Sequence, residues 1–160
     1  MQIINRTFSL LKPLFNEIIL AGWPPDDSSP VGTITVADNF PGMGPLAGIE
    51  AAMKASTAPW LFVFGGDMPW LSDAMITDQA TASLKAPADV LIPRIGKSIE
   101  PLHAIYRCSL HPYLESYLQG GKDTAVRAFF RPLQVRYYDL PDDEKTLKIF
   151  TNINTPQDLP

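Results

Sequence analysis

From Ile4 the apolar residues recur at Ile4, Phe8, Leu11 and Phe15, a spacing that places them on one face of a helix which Pro13 would end. The pattern then changes: EIILAG at 17–22 is a short apolar run closed by Gly22 and the turn-rich WPPDDSSP, so a buried strand and a loop are expected. A second strand is predicted at 33–36 (TITV). After the loop DNFPGMG at 38–44, Pro45 stands where a first helical residue should, and Leu46, Ile49 and Met53 repeat at helical spacing. WLFVF at 60–64 is the most continuous apolar run and ends abruptly in GGDMP, which predicts a central strand buried on both faces. Further along, Ser72 is placed to cap a helix over 73–85, and 89–92 and 102–106 are strand-like. Ser109 is expected to cap a helix carrying Leu110, Leu114 and Leu118 on one face and stopping at Gly120 and Gly121. Asp123 would cap a short helix through Phe130, and 135–140 and 147–150 are the last expected strands. The alternation of helices and strands predicts an α/β domain with a mostly parallel central sheet covered on both faces.

Length and composition narrow the picture. At 160 residues with 46% apolar and 19% charged residues, one domain spanning 1–160 with its own core is expected, and intrinsic disorder is excluded. Net charge is −4 and the isoelectric point is near 5.0, so no global basic field exists to hold a nucleic acid. An anionic ligand must be held by local features. The one cysteine, Cys108, cannot form an internal disulfide and has no partner at Cys-x-x-Cys spacing, which fits a reducing cytoplasm. The N-terminal stretch lacks a basic n-region and is interrupted by Arg6, Lys12 and Glu17. No run approaches the ~18 apolar residues of a membrane span, so a cytoplasmic protein without membrane contact is expected.

In open α/β sheets ligands bind beyond the carboxyl ends of the strands, which directs attention to the residues just after each one. Asp67 follows a buried strand and two glycines, whose missing side chains let a ligand approach the backbone. A carboxylate there suits Mg²⁺, which takes one or two protein carboxylates and completes its shell with waters and substrate phosphates. An Asp that merely caps the turn before the next helix explains the tetrapeptide equally well. GMGPLAG at 42–48 joins a strand-end loop to a helix start, where free amides and the positive dipole end receive a phosphate or a polar base. Gly as a cap with Pro as first helical residue is the plainer account of the same residues. Asn152 and Asn154 alternate along an extended segment and so share a face; they could hold a ribose or phosphate together, or serve as a turn or cap before Pro156. His103 and His111 show no Glu or Cys at a metal-ligand spacing and are expected to be packed or at the surface. No G-x-S-x-G elbow supports a serine nucleophile, Cys108 has no evident base, and the acidic run 142–144 is expected to be a solvated turn.

GPLAG at 44–48, FGGDMP at 64–69, EPLHAIYR at 100–107 and NINTP at 152–156, taken in order, resemble the molybdenum cofactor guanylyltransferase family over almost the whole chain. The resemblance implies a three-layer Rossmann-like nucleotidyltransferase fold and Mg²⁺-dependent transfer of GMP from GTP to the terminal phosphate of molybdopterin, releasing pyrophosphate. It implies that Asp67 binds the metal. It further implies that Asp38 with Gly44, Pro45, Leu46 and Gly48 holds the guanosine, and that Asn152 and Asn154 lie near the metal and the transferred phosphate. Glu100, Pro101 and His103 would border the pterin-side pocket. Molybdoenzymes or other cofactor-biosynthesis proteins are the implied protein partners. The sequence departs from the family pattern at its start. A first strand leading into a glycine-rich loop of the kind L-A-G-G-x-S-x-R-M-G-x-D-K would precede the first helix, and this sequence begins after it. That strand would lie centrally in the sheet, so unpaired backbone groups and an uncovered apolar surface are expected where it is missing. The expectation is a guanylyltransferase whose true start lies upstream, with little or no activity in the chain as written; its final helix would also be shortened. Two alternatives are a noncatalytic relative that binds pterin or a partner, and a nucleotidyltransferase using CTP.

Overall fold

The structure is a computed structural model and describes residues 2–23, 29–86, 88–121 and 125–153. Among the described residues the elements are α1 (Gln2–Leu11), β1 (Ile19–Ala21), β2 (Ile34–Val36), α2 (Pro45–Ala55), β3 (Trp60–Phe64), α3 (Asp73–Leu84), β4 (Val90–Ile95), β5 (Ser98–Ile99), β6 (His103–Arg107), a 3₁₀ turn (Cys108–Leu110), α4 (His111–Gln119), α5 (Val126–Phe129), β7 (Val135–Leu140) and α6 (Glu144–Ile149). The strands form two sheets. β1 and β2 make a parallel pair, and the other sheet runs β3-β6-β4-β5 with β7 also beside β4. The expected parallel sheet is therefore mixed: β1·β2 and β4·β7 are parallel, whereas β6 is inserted antiparallel between β3 and β4, and β5 is antiparallel to β4. β6 follows β4 through the short 96–102 connection that holds β5, comes back alongside β4 and has no helical crossover to reverse it.

Two apolar layers cover the larger sheet. On one side Leu46, Ile49 and Met53 of α2 and Leu114 and Leu118 of α4 pack with Val90, Ile92, Ala104, Tyr106 and Phe129. On the other, Leu11 of α1, Ile76 of α3, Met68 and Leu71 pack with Phe15, Phe62 and Phe64. β3 alternates accordingly, with Leu61 and Val63 against the α2 layer and Phe62 and Phe64 against the α1 layer. Two of the predicted helix starts are realised. Ser72 Oγ accepts from Met75 N–H at 3.3 Å, and Pro45 opens α2.

Three local expectations are corrected. Residues 147–150 lie largely in α6 and not in a strand, because Asp143 Oδ1 accepts from Thr146 N–H at 2.8 Å and starts a helix in EKTLKI. The acidic turn thus has a structural role. Ser109 does not cap α4; it sits inside the 3₁₀ turn, and the helix begins at His111 with Pro112 in its first turn and no side-chain cap. Asp123 falls outside the described residues. Among those residues, no helix is long and apolar enough to cross a membrane.

Candidate functional site

One cavity of about 810 Å³ runs along β1 and β3, and its lining includes Asp38, Gly44, Pro45, Gly48, Gly65 and Gly66. Asp38 stands two residues beyond β2. Its Oδ1 is buried and has no hydrogen-bond partner. A Cβ placed on Gly22 would approach this carboxylate to 3.5 Å and one on Gly48 to 3.8 Å, so the two glycines leave the space beside it. Trp23, at the same end of the cavity, also carries a buried Nε1 without a partner. A donor and an acceptor left unmet in one place suit a polar ligand such as a nucleobase. The neighbouring Asn39 turns away: its Nδ2 donates to Glu50 Oε2 at 2.8 Å and ties this loop to α2.

Gly44 precedes α2 with φ of 66°, a left-handed conformation that glycine adopts without strain. Its carbonyl accepts from Ala47 N–H at 3.1 Å, and no side chain caps the helix. Pro45 has no N–H and Ala47 N–H is taken by Gly44, so of the first turn the Leu46 amide is left for a ligand. Pro45 is exposed, whereas Leu46 is fully buried in the core and offers a ligand only its backbone.

Asp67 is exposed at the tip of the turn after β3. Gly65 N–H donates to Leu102 C=O at 3.0 Å and Met68 N–H to Gly65 C=O at 3.2 Å, while the Met68 side chain anchors the turn in the core. The Asp67 carboxylate folds back over Gly65, where a Cβ would lie 2.5 Å from Oδ1; only glycine leaves it that position. Ile153 N–H donates to Asp67 C=O at 2.8 Å, so the segment carrying Asn152 is fastened beside Asp67. Asn152 is exposed there, and Asn154 lies outside the described residues.

The EPLH turn joins the same end of the sheet through the Gly65–Leu102 bond. His103 N–H donates to Glu100 C=O at 3.1 Å, and Tyr106 Oη donates to Pro101 C=O at 2.8 Å. Glu100 and Pro101 are partly exposed. Burial raises the Glu100 carboxyl above its ordinary pKa, opposed by the charge of Arg127. His103 differs from the expectation that it borders a pocket. It is fully buried, with Phe62 and Phe150 edge-on at 4.9 Å and Nδ1 3.2 Å from Gln79 Oε1. Gln79 Nε2 donates to the His103 carbonyl at 3.0 Å, which fixes the amide so that Oε1 accepts from Nδ1–H. Burial lowers its pKa to about 4, so the ring is neutral at pH 7 and braces the turn from within.

One cluster escaped the sequence reading. His111, expected to lack a carboxylate at ligand spacing, has Glu115 four residues on and Glu50 across the helix interface, with ligating atoms of all three within 4.8 Å of one another. The i, i+4 spacing of His111 and Glu115 was the available signal. The buried Glu50 already receives Asn39 on one oxygen and His111 Nε2 on the other at 2.8 Å, so the cluster is accounted for as a clamp between α2 and α4.

Residues 1–137 match the family described as MobA-like NTP transferase domain. The chain is 29% identical over 99% of its length to a probable molybdenum cofactor guanylyltransferase of Carboxydothermus hydrogenoformans, covering 80% of that protein. It is 30% identical to a protein of the same name from Pelotomaculum thermopropionicum, over 98% of this chain and 76% of the relative. Among solved structures, the molybdopterin-guanine dinucleotide biosynthesis protein A of Archaeoglobus fulgidus superposes with a TM-score of 0.77 and 28% identity, over 98% of this chain and 80% of that one. A 2-C-methyl-D-erythritol 4-phosphate cytidylyltransferase of Thermus thermophilus shares the fold, with a TM-score of 0.68 at 14% identity.

Proposed function

The chain belongs to the MobA-like NTP transferase domain family, and on that premise we propose that it transfers GMP from GTP to molybdopterin. The observation that carries this reading is that Asp38, the start of α2 and Gly65 and Gly66, the residues just before Asp67, line one cavity. A terminal phosphate oxygen of molybdopterin would attack the α-phosphorus of GTP in line. The new P–O bond forms as the bond to the bridging oxygen breaks, and that oxygen departs with pyrophosphate. Asp38, with its unpartnered buried oxygen, would accept from the base. The Gly44–Gly48 backbone would position the nucleoside, and Glu100 and Pro101 would border the pterin. Asp67 fits a divalent cation, since its carboxylate is exposed and Gly65 gives it room; with Asn152 beside it, it would hold Mg²⁺. Bound there, Mg²⁺ would neutralise phosphate charge as the transition state develops.

A second reading has its own observation. No described residue lining the cavity is Lys or Arg, so a triphosphate would meet no side-chain cation there. On this reading the protein binds pterin or a partner without turnover. Transfer assayed with GTP, molybdopterin and Mg²⁺ separates the two. Guanylyl transfer that falls by about 100-fold or more in Asp67→Ala supports the enzyme. Pterin binding with no transfer supports the second reading, and transfer undiminished in Asp67→Ala removes Asp67 from the metal site. Competition of CTP against GTP in the same assay reports the base.

A further inference from the structure

Glu50 is a carboxylate on α2 that is wholly buried. Its two oxygens are met from two directions. His111 Nε2, at the start of α4, lies 2.8 Å from Oε1, and Asn39 Nδ2 donates to Oε2 at 2.8 Å. A carboxylate only accepts, so the bonded His111 nitrogen carries a proton. An apolar residue at this position would pack α2 on α4 at least as well, because a buried charged pair adds little stability over apolar side chains of similar volume. What the carboxylate adds is direction. It takes one donor from α4 and one from the loop at Asn39, so the orientation of one bond sets that of the other. None of Asn39, Glu50 and His111 lines the cavity.

The loop that carries Asp38 needs such a hold. Before it, Val36 C=O accepts from Gly22 N–H, and after it Phe40 packs against the core. Among the described residues, Ala37, Asp38 and Asn39 between them make no main-chain hydrogen bond. Asp38 and Asn39 are consecutive and their side chains diverge, Asp38 toward Gly22 and Gly48 and Asn39 toward Glu50. Fixing the Asn39 amide therefore fixes the direction of the Asp38 carboxylate. We propose that Glu50, itself held by His111, is a positioning residue for base selection: through Asn39 it aims Asp38 and so sets the preference of the site for guanine over cytosine. The inference rests on the proposed role of Asp38 in accepting from the base. Guanine presents two adjacent N–H donors on its pairing edge, whereas cytosine presents one donor beside an unprotonated ring nitrogen. A carboxylate held in place accepts both donors of guanine and meets an opposing lone pair on cytosine. A carboxylate free to swing loses that discrimination.

The test measures GTP and CTP binding to the intact chain in competition. Loss of folded protein lowers both affinities alike, so their ratio reports the aim of Asp38 and not stability. Asn39→Ala, a change at an exposed residue, is expected to lower the preference for GTP at least about tenfold. His111→Leu should lower it by a similar factor, and His111→Gln, which keeps an N–H donor for Glu50, should restore it. Asp38→Ala should abolish the preference, and Asn39→Ala added to it should change nothing further, because the effect of Asn39 passes through Asp38. If Asp38→Ala lowers the preference while Asn39→Ala leaves it native, or if His111→Gln behaves as His111→Leu does, the positioning role is overturned and the base site stands. A native chain without preference for GTP, or a preference that survives Asp38→Ala, overturns the reading of Asp38 and this inference with it. Should His111→Leu not fold, Asn39→Ala, alone and combined with Asp38→Ala, decides the outcome.

Discussion

The two halves of the molecule use the same kind of residue and reach different outcomes. In the half built on β4 and β6, Val90, Ile92, Ala104 and Tyr106 are wholly excluded from solvent, enclosed by α2, α4 and the aromatic pair Phe129 and Phe130. In the half built on β1 and β3, an equally apolar sequence stays half exposed along a channel. Side-chain character is not what separates them. Burial of a strand requires neighbours on both edges as well as helices on both faces, and among the described residues β3 has a neighbour on one edge only. The loops proposed to face the ligand follow strands of the two sheets, Asp38 after β2 of the small sheet and Asp67 after β3 of the large one.

The sharpest way to break this comparison is to delete equal volumes from the two halves. Leu114, with no exposure, should cost about 3 kcal/mol when changed to Ala, because its neighbours cannot close the gap. Leu61→Ala, at the half-exposed channel, should cost about 1 kcal/mol. Urea titration of both variants reads the contrast; equal losses would mean that the channel wall is as tightly packed as the core.

A pH experiment sharpens the boundary between the halves, where His103 packs against Phe62. The folded pKa near 4 lies below the unfolded value of 6.5, so the unfolded chain takes up the proton first. The contribution is complete above pH 6.5, erodes as pH falls toward 4 and is spent below that, amounting to about 3 kcal/mol. Unfolding free energies measured between pH 6.5 and 4.5 should fall more steeply in the native protein than in His103→Gln, by about 1 kcal/mol per pH unit. Parallel slopes would show that the ring is open to water.

Much of this architecture is legible in the chain. Apolar spacing and stops locate α1, α2 and α4 and the strands at 19–21, 34–36, 60–64 and 135–140, and the capping residue Ser72 locates α3. Strand direction is not legible there: β6 is as apolar as a parallel strand and becomes antiparallel through the turn that precedes it. The short apolar stretch 147–150 reads as a strand, while the capping bond of Asp143 makes it the end of α6. In the site, Asp67 is legible from its place after a strand, whereas Asp38 follows from the family resemblance. The enclosure of His103 depends on Gln79 and Phe150, and the Glu50–His111 clamp on a contact 61 residues apart, so neither follows from local pattern.

Amide hydrogen exchange of the free chain at neutral pH tests the division of the molecule most directly. The bonded amides of β4 and β6, together with Leu61 and Val63 of β3, should exchange only through global unfolding. Trp60, Phe62 and Phe64, alternating with them along the same strand, should exchange faster by orders of magnitude, as should Ile19 and Ala21 on β1. Uniform protection along β3 would contradict the account, for it would mean that its second edge is already paired.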